Sequence, residues 1–324
     1  MKRLLMVLAA VLLAGALVWR NGQRALPVQA PAETAEHAEP AAMTVQGREV
    51  PLWAYRYWLG RACRQAESDC KAAGQAPDWT ASGPESLREQ VRARAVADAA
   101  LCAVVEDRAR TQGCGLTEED SRTLDALWQQ RVQAHGGEEA YIQHLSSQGL
   151  TPEQARALAE TGQRYRRLHA QAADPESPYA PTPEQLADFA EKGNYLAVNR
   201  IYVSGPDAQK RISALFRQLN EAPDPQALFS GLAAGGEDHL GRRTFQLGDG
   251  TLSPALEQAA ESLEPGVHSG ILQDGSGYAI LLRLTPSLPY LTARWLDAEL
   301  EAAAAVSAPR TLPAMETVSI PLFS

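Results

Sequence analysis

The sequence predicts an α+β protein: an N-terminal all-α domain, then a smaller domain in which a small sheet is packed by helices. Three observations predict it. From Thr44 to Ala172, apolar residues recur at spacings of three and four with no sustained alternation. Beyond the proline-rich boundary DPESPYAPTPEQ, Asp174 to Gln185, short alternating runs are interleaved with short helical ones. Finally, 324 residues of which 45% are apolar supply enough material for two cores.

Taken in chain order, residues 1–24 read as a signal peptide or membrane anchor. MKR is a basic start, and Leu4 to Trp19 carries no charge over 16 residues. That length lies between a signal h-region and the roughly 20 residues that span a bilayer, so two readings stand. The chain is either anchored in the membrane by residues 4–19 or secreted after cleavage near Ala30, and both place it outside the cytoplasm. Leu13-Ala14-Gly15-Ala16 has alanine where a lipidated cysteine would stand, which argues against lipidation. Residues 25–43 are rich in Ala, Pro and Glu and poor in large apolar side chains, the composition of a disordered tether.

The helical domain spans 44–174. TVQGREV turns at Gln46-Gly47 before the first long helix, Pro51 to about Ala73, whose stripe is Leu52, Tyr55, Leu59, Cys63, Ala66 and Cys70. A second helix, Glu85 to Gln112, puts Val91, Ala95, Ala99 and Cys102 on one side and stops at Gly113, before Cys114. In an exported chain these four cysteines are disulfide candidates. Cys63 and Cys70 on one unbroken helix stand about 10 Å apart, too far to bridge each other. Antiparallel packing of the two helices favours Cys63 with Cys102; four buried thiols are the alternative. Thr117-Glu118-Glu119-Asp120 caps a third helix, HGGEEAYIQHL breaks it and starts a short fourth, and Thr151-Pro152-Glu153 opens a fifth.

The smaller domain spans 182–286 and opens on a capping box, Thr182 with Gln185. YLAVNRIYV alternates like a strand, DAQKRISALFRQL and QALFSGLAAG read as helices, and TFQLGDGTLS leads into a helix through ALEQAAESL. Short strands around HSGIL and YAILLRL complete a β-α-α-β-α-β-β order. Residues 287–324 supply a final helix, Leu291 to Val306, and a tail in which Val318, Ile320 and Leu322 alternate.

Several functional classes find no support. A net charge of −9 without a basic cluster lacks the electrostatic footprint of nucleic-acid binding. No HExxH, GxGxxG or P-loop pattern occurs, Ser230-Gly231 has no neighbouring histidine, and the cysteine spacings do not match zinc ligands. The residues therefore point to no metal and no cofactor.

Four stretches resemble the parvulin family of peptidyl-prolyl isomerases, as found in extracytoplasmic foldases of the PrsA and SurA type. They are Ala197 to Val203, LFSGLA from Leu228, LGDGTLSPALEQAAESLEPGVHSGIL from Leu247, and GYAILLRL from Gly277, within a region of about ninety residues. The resemblance implies a cleft in which an apolar shelf grips proline above two histidines and an aspartate or cysteine. Carried over position by position, the first histidine is replaced by Arg200 and the second by Ala279. The acidic position falls at Asp238, with His239 as its alternative. The shelf falls on Leu252 and Leu256, with Phe245 as a further wall and Tyr278 at the strand entrance. Leu252 and Leu256 could equally be core, and Arg200 either a donor to the substrate carbonyl or a solvated strand-end residue. The resemblance also implies that the segment after the isomerase-like domain returns to complete the helical one. What it implies for function is an exported foldase that binds unfolded or proline-containing polypeptide clients, with weak or absent isomerase activity. The alternative is a non-catalytic envelope scaffold or docking protein.

Overall fold

The computed structural model describes residues 40–234, 241–306 and 310–311. It begins with a hairpin of β1 (Ala41–Val45) and β2 (Arg48–Pro51). The two turn residues, Gln46 and Gly47, have φ of 50° and 77°, the left-handed pair that matches the twist of the strands it joins. β1 thus begins at Ala41, within the stretch 25–43 read from composition as tether. Met43, Val45 and Val50 are buried, which is why this short hairpin holds.

Five helices follow: α1 (Leu52–Ala72), α2 (Leu87–Thr111), α3 (Glu118–Ala134), α4 (Glu138–Ser147) and α5 (Pro152–Ala173). Their starts are set by side chains that satisfy the unpaired N–H groups of a first turn. Ser86 accepts from the Glu89 amide, Thr117 and Asp120 form a reciprocal capping box, and Thr151 and Gln154 do the same at α5. Then come α6 (Pro183–Lys192), β3 (Tyr195–Val203), α7 (Ala208–Glu221), α8 (Pro225–Ala234), β4 (Arg243–Gln246), α9 (Pro254–Ser262), β5 (Leu272–Asp274), β6 (Gly277–Leu284), α10 (Leu288–Val306) and β7 (Arg310–Thr311). The short strand expected around HSGIL is displaced to Leu272–Asp274; at His268 there is only an isolated bridge to Leu282.

The chain divides into two compact units. One comprises the chain up to Gln171 together with that from Leu296 onward; the other is Ala172–Trp295. In the first, α1 packs along α2 around Tyr55, Trp58, Leu59, Cys63, Ala95 and Ala99, all at most 1% exposed. β7 joins β1 as the third strand of the sheet β2-β1-β7, pairing Thr311 with Met43. Asp297 on α10, its side chain 4% exposed, accepts from the Tyr165 hydroxyl at 2.5 Å and lies 3.0 Å from His169 Nε2, fastening α10 to α5.

The second unit is built on the antiparallel sheet β4-β3-β6-β5. Because side chains alternate along a strand, β3 and β6 each feed two separate cores. Ile201, Val203, Ile280 and Leu282 pack with α7 and α8 through Ile212, Leu219 and Phe229. Leu196, Val198, Ala279 and Leu281 pack with α9 through Leu256 and Ala260. β6 must begin with glycine: a Cβ on Gly277 would lie 2.6 Å from both the Val203 carbonyl oxygen and the Tyr202 hydroxyl.

The expected disulfides are absent, because Cys63, Cys70, Cys102 and Cys114 are all free thiols. Their surroundings keep them so. Burial pushes the Cys63 thiol up to about 11 and that of Cys102 up to about 12, and raises that of Cys114, so the nucleophilic thiolate is scarce. The Cys114 thiol instead donates to Gln171 Oε1 at 3.0 Å. The intact mass of the purified chain is therefore expected to be unchanged by reductant, with all four thiols titrating after unfolding. In the native state alkylation is expected to reach the half-exposed Cys70 well before the buried Cys63.

Among the described residues no helix is long and apolar enough to cross a membrane. Residues 4–19 and Ala30, which carry the anchor and cleavage readings, lie outside the described residues, as do Val318, Ile320 and Leu322.

Candidate functional site

The resemblance placed its cleft on the smaller unit, and the sheet assembles much of that set on one face. Arg200 follows Leu196 and Val198 in the alternation of β3 and so faces α9, as do Phe245 of β4, Ala279 of β6, Leu256 of α9 and Leu252 just before it. Tyr278 does not join them; it points to the opposite face and packs against the core under α7 and α8. Asp238 and His239 lie outside the described residues.

Position on one face does not make an open cleft. Leu252 is 6% exposed, and Phe245, Leu256 and Ala279 are 0% exposed. They are the α9 core itself, so the shelf expected of Leu252 and Leu256 is closed by their mutual packing. Ala279 faces Tyr202 on β3 and Leu272 on β5 across the ladder, in a space that a methyl group fills.

Arg200 is neither a free donor nor a solvated strand end. Its Nη1 lies 2.7 Å from Asp274 Oδ2, and its guanidinium sits 5.1 Å over the Tyr202 ring. Asp274 Oδ1 also accepts from Ser253 Oγ at 3.1 Å, which ties the start of α9 to β5. With side chains 15% and 18% exposed, Arg200 and Asp274 form a pair largely withdrawn from water. Sequence reasoning missed Asp274, Ser253 and Tyr202, since no spacing relates positions 200 and 274 until the sheet brings them together.

Open apolar surface is present in the first unit. In the first unit, α1, α2 and the end of α10 line a cavity of about 700 Å³. Its apolar lining includes Ala62, Ala66, Val91, Ala97, Leu101 and Ala304, small side chains that leave room between helices. The alanine-rich run from Ala93 to Ala103 on α2 was the available signal for it, because alanine repeated on a helix face cannot fill the space a neighbour leaves.

Four charged residues share that lining: Asp69, Asp98 and Glu301 against Arg94. Asp98 is the unusual one. Its ion pair with Arg94 is loose, 3.8 Å from Nε, and its side chain is 15% exposed. Burial raises its carboxyl to about 6, against smaller opposing pulls from Arg94 and Arg61. A carboxyl raised in the folded state stabilises the fold below its unfolded value, near 3.8, and loses that contribution as pH rises through about 6. Asp98→Asn is therefore expected to match wild-type stability near the acid end of that window. Above it the variant should be the more stable, by about 1–3 kcal/mol, with urea unfolding across the window as the measurement. Equal pH dependence in the two proteins would contradict the assignment.

No group of three or more His, Cys, Asp or Glu among the described residues could hold a metal ion. No protein-family model matches the chain, and no curated protein matches it. Among solved structures, foldase protein PrsA from Streptococcus pneumoniae is 16% identical, over 64% of this chain and 74% of that one, with a TM-score of 0.27. PrsA from Bacillus subtilis is 16% identical over 74% of this chain and 89% of that one, TM-score 0.28. A structure described as a SurA-like chaperone of Campylobacter jejuni is 12% identical over 83% and 92%, TM-score 0.20.

Proposed function

We propose that this chain is an exported foldase of the holding kind, which binds unfolded polypeptide segments and contributes little or no prolyl isomerisation. The observation that carries the reading is the contrast between the two units. The face where the parvulin resemblance would put two imidazoles holds a buried alanine and an arginine already paired with Asp274. The helical unit offers an open cavity of about 700 Å³ lined mostly by apolar groups.

Chemistry supports the first half of that contrast. Rotation about an X-Pro bond crosses about 18–20 kcal/mol, and a catalyst must favour the twisted amide over the planar one. Among the described residues, Phe245, Leu252, Leu256 and Ala279 are packed together as a buried core, which supports a reading without room for the amide. The second half rests on area: an extended apolar segment laid between helices is removed from water without needing a unique sequence. Export of the protein follows from the N-terminal sequence pattern, and proline-containing clients from the resemblance.

Two assays on the full chain test this. Aggregation of a denatured client should be suppressed at stoichiometric protein, while a protease-coupled proline-peptide assay should stay at the spontaneous rate, tens to hundreds of seconds. Failure to suppress aggregation would leave the scaffold alternative standing, and clear acceleration of isomerisation would restore an enzyme.

A further inference from the structure

We infer that the open edge of β2 takes up an extended polypeptide as an added antiparallel strand, seated between β2 and α5 with alternate apolar side chains in a pocket over Trp58. The inference rests on the client-binding reading for the identity of the occupant. Its pocket shares no lining residue with the groove between α1, α2 and the end of α10.

Backbone geometry carries it. In the sheet β2-β1-β7 one edge of β2 is unpaired among the described residues. The two-residue turn makes Val45 and Arg48 a hydrogen-bonded pair, so in the next pair, Thr44 and Glu49, the backbone groups point outward. Those of Thr44 meet β7 at Arg310, whereas the N–H and C=O of Glu49 face the open edge and bond to nothing among the described residues. All four residues of β2 line a pocket of about 340 Å³ whose other walls come from α1, α2 and α5, with Trp58, Ala99 and Leu158 among its apolar lining. Trp58, 0% exposed, has its Nε1 buried beside the Cys102 sulfur and donates to no oxygen or nitrogen. A strand carbonyl entering the pocket supplies the acceptor it lacks. On the α5 side Glu106 already accepts from Thr161 at 2.6 Å and Arg164 at 3.1 Å, so the pocket calls for an uncharged side chain.

The occupant is a foreign segment and not a second copy. Two β2 edges related by a twofold axis would pair through Glu49, setting two carboxylates directly opposite each other, a destabilising arrangement. Met43, Val45 and Val50 are buried and Glu49 is exposed, so the Glu49 side chain lies on the solvent face of the hairpin. In an added strand the residue opposite Glu49 therefore turns its backbone groups to β2 and its side chain to water. Its two neighbours turn their side chains into the pocket and their backbone groups away. An uncharged segment alternating apolar with small polar residues meets both demands, the backbone supplying affinity and the pocket selectivity.

The test uses the full chain and three short fluorescein-labelled peptides in which isoleucine alternates with serine in equal number: unmodified, N-methylated on every serine, and N-methylated on every isoleucine. The two methylated peptides are isomers of equal hydrophobicity. Serine methylation removes the N–H groups directed at β2 and is expected to weaken binding about tenfold or more, while isoleucine methylation, on the outer edge, should change it less than about twofold. Glu49→Pro removes the outward N–H without touching the ladder to β1, and should weaken the unmodified peptide about tenfold with urea unfolding unchanged. Equal losses from the two methylated peptides, no binding of the unmodified one, or wild-type affinity in a folded Glu49→Pro variant would each overturn the inference. The client-binding reading is judged separately, by aggregation suppression with the same wild-type preparation, so either can fail while the other stands.

Discussion

Histidine placed at position 279, alone or together with Arg200→His, is expected to unfold or weaken the smaller unit by about 3 kcal/mol or more and to produce no isomerase turnover. Ala279 is 0% exposed between β3, β5 and α9, packed with Leu256 and Leu281. An imidazole there adds volume to a filled core and a polar ring to apolar surroundings, two separate penalties. Arg200→His adds a third, because it removes the guanidinium that pairs with Asp274 and covers Tyr202. Urea unfolding and the protease-coupled assay on the same preparations read both outcomes. A double variant that stays stable and turns over proline peptides would mean that the cleft was competent and lacked only its histidines. The distinction matters, since a resemblance of this kind invites the idea that two substitutions separate this chain from an enzyme.

Asp297→Ala is expected to cost about 2–4 kcal/mol and to loosen the groove. The buried carboxylate is an acceptor for Tyr165 and a partner for His169, both on α5, and its removal takes the joint between α5 and α10 apart. α10 carries Glu301, Ala304 and Ala305, one wall of the groove, so the loss should be felt there. Two readouts separate this from a general loss of stability. Cys70, which lines the same groove, should be alkylated faster under native conditions, and aggregation of a denatured client should be suppressed less. Asp297→Asn retains an oxygen acceptor for the Tyr165 hydroxyl and should show a smaller version of both effects. Unchanged Cys70 labelling in a destabilised Asp297→Ala would show that α10 is held in place by other contacts.

Local structure was the legible part of the sequence. Helix starts at Thr117, Thr151 and Thr182 were visible because a capping threonine and its partner three residues on are neighbours in the chain. Strand β3 was visible as alternation and β6 as a short apolar strand, while the groove lined by the alanines of α2 was not read from the sequence. What sequence could not resolve was which of two alternatives held at each candidate residue. Leu252 and Leu256 fit shelf or core equally well in sequence, and in the structure both are buried where α9 meets the sheet. Arg200 fit donor or solvated end, and the structure makes it neither, because Asp274 lies seventy-four positions away and meets it only across the sheet.

The sequence alone thus determined the periodic elements, their caps and their order, since those depend on interactions within a few residues of chain. Tertiary structure alone decided the fate of the cysteines, of Arg200 and of Asp98. Whether a thiol is bridged, a guanidinium paired or a carboxyl charged depends on distance and water access, which residues remote in sequence set jointly when they pack.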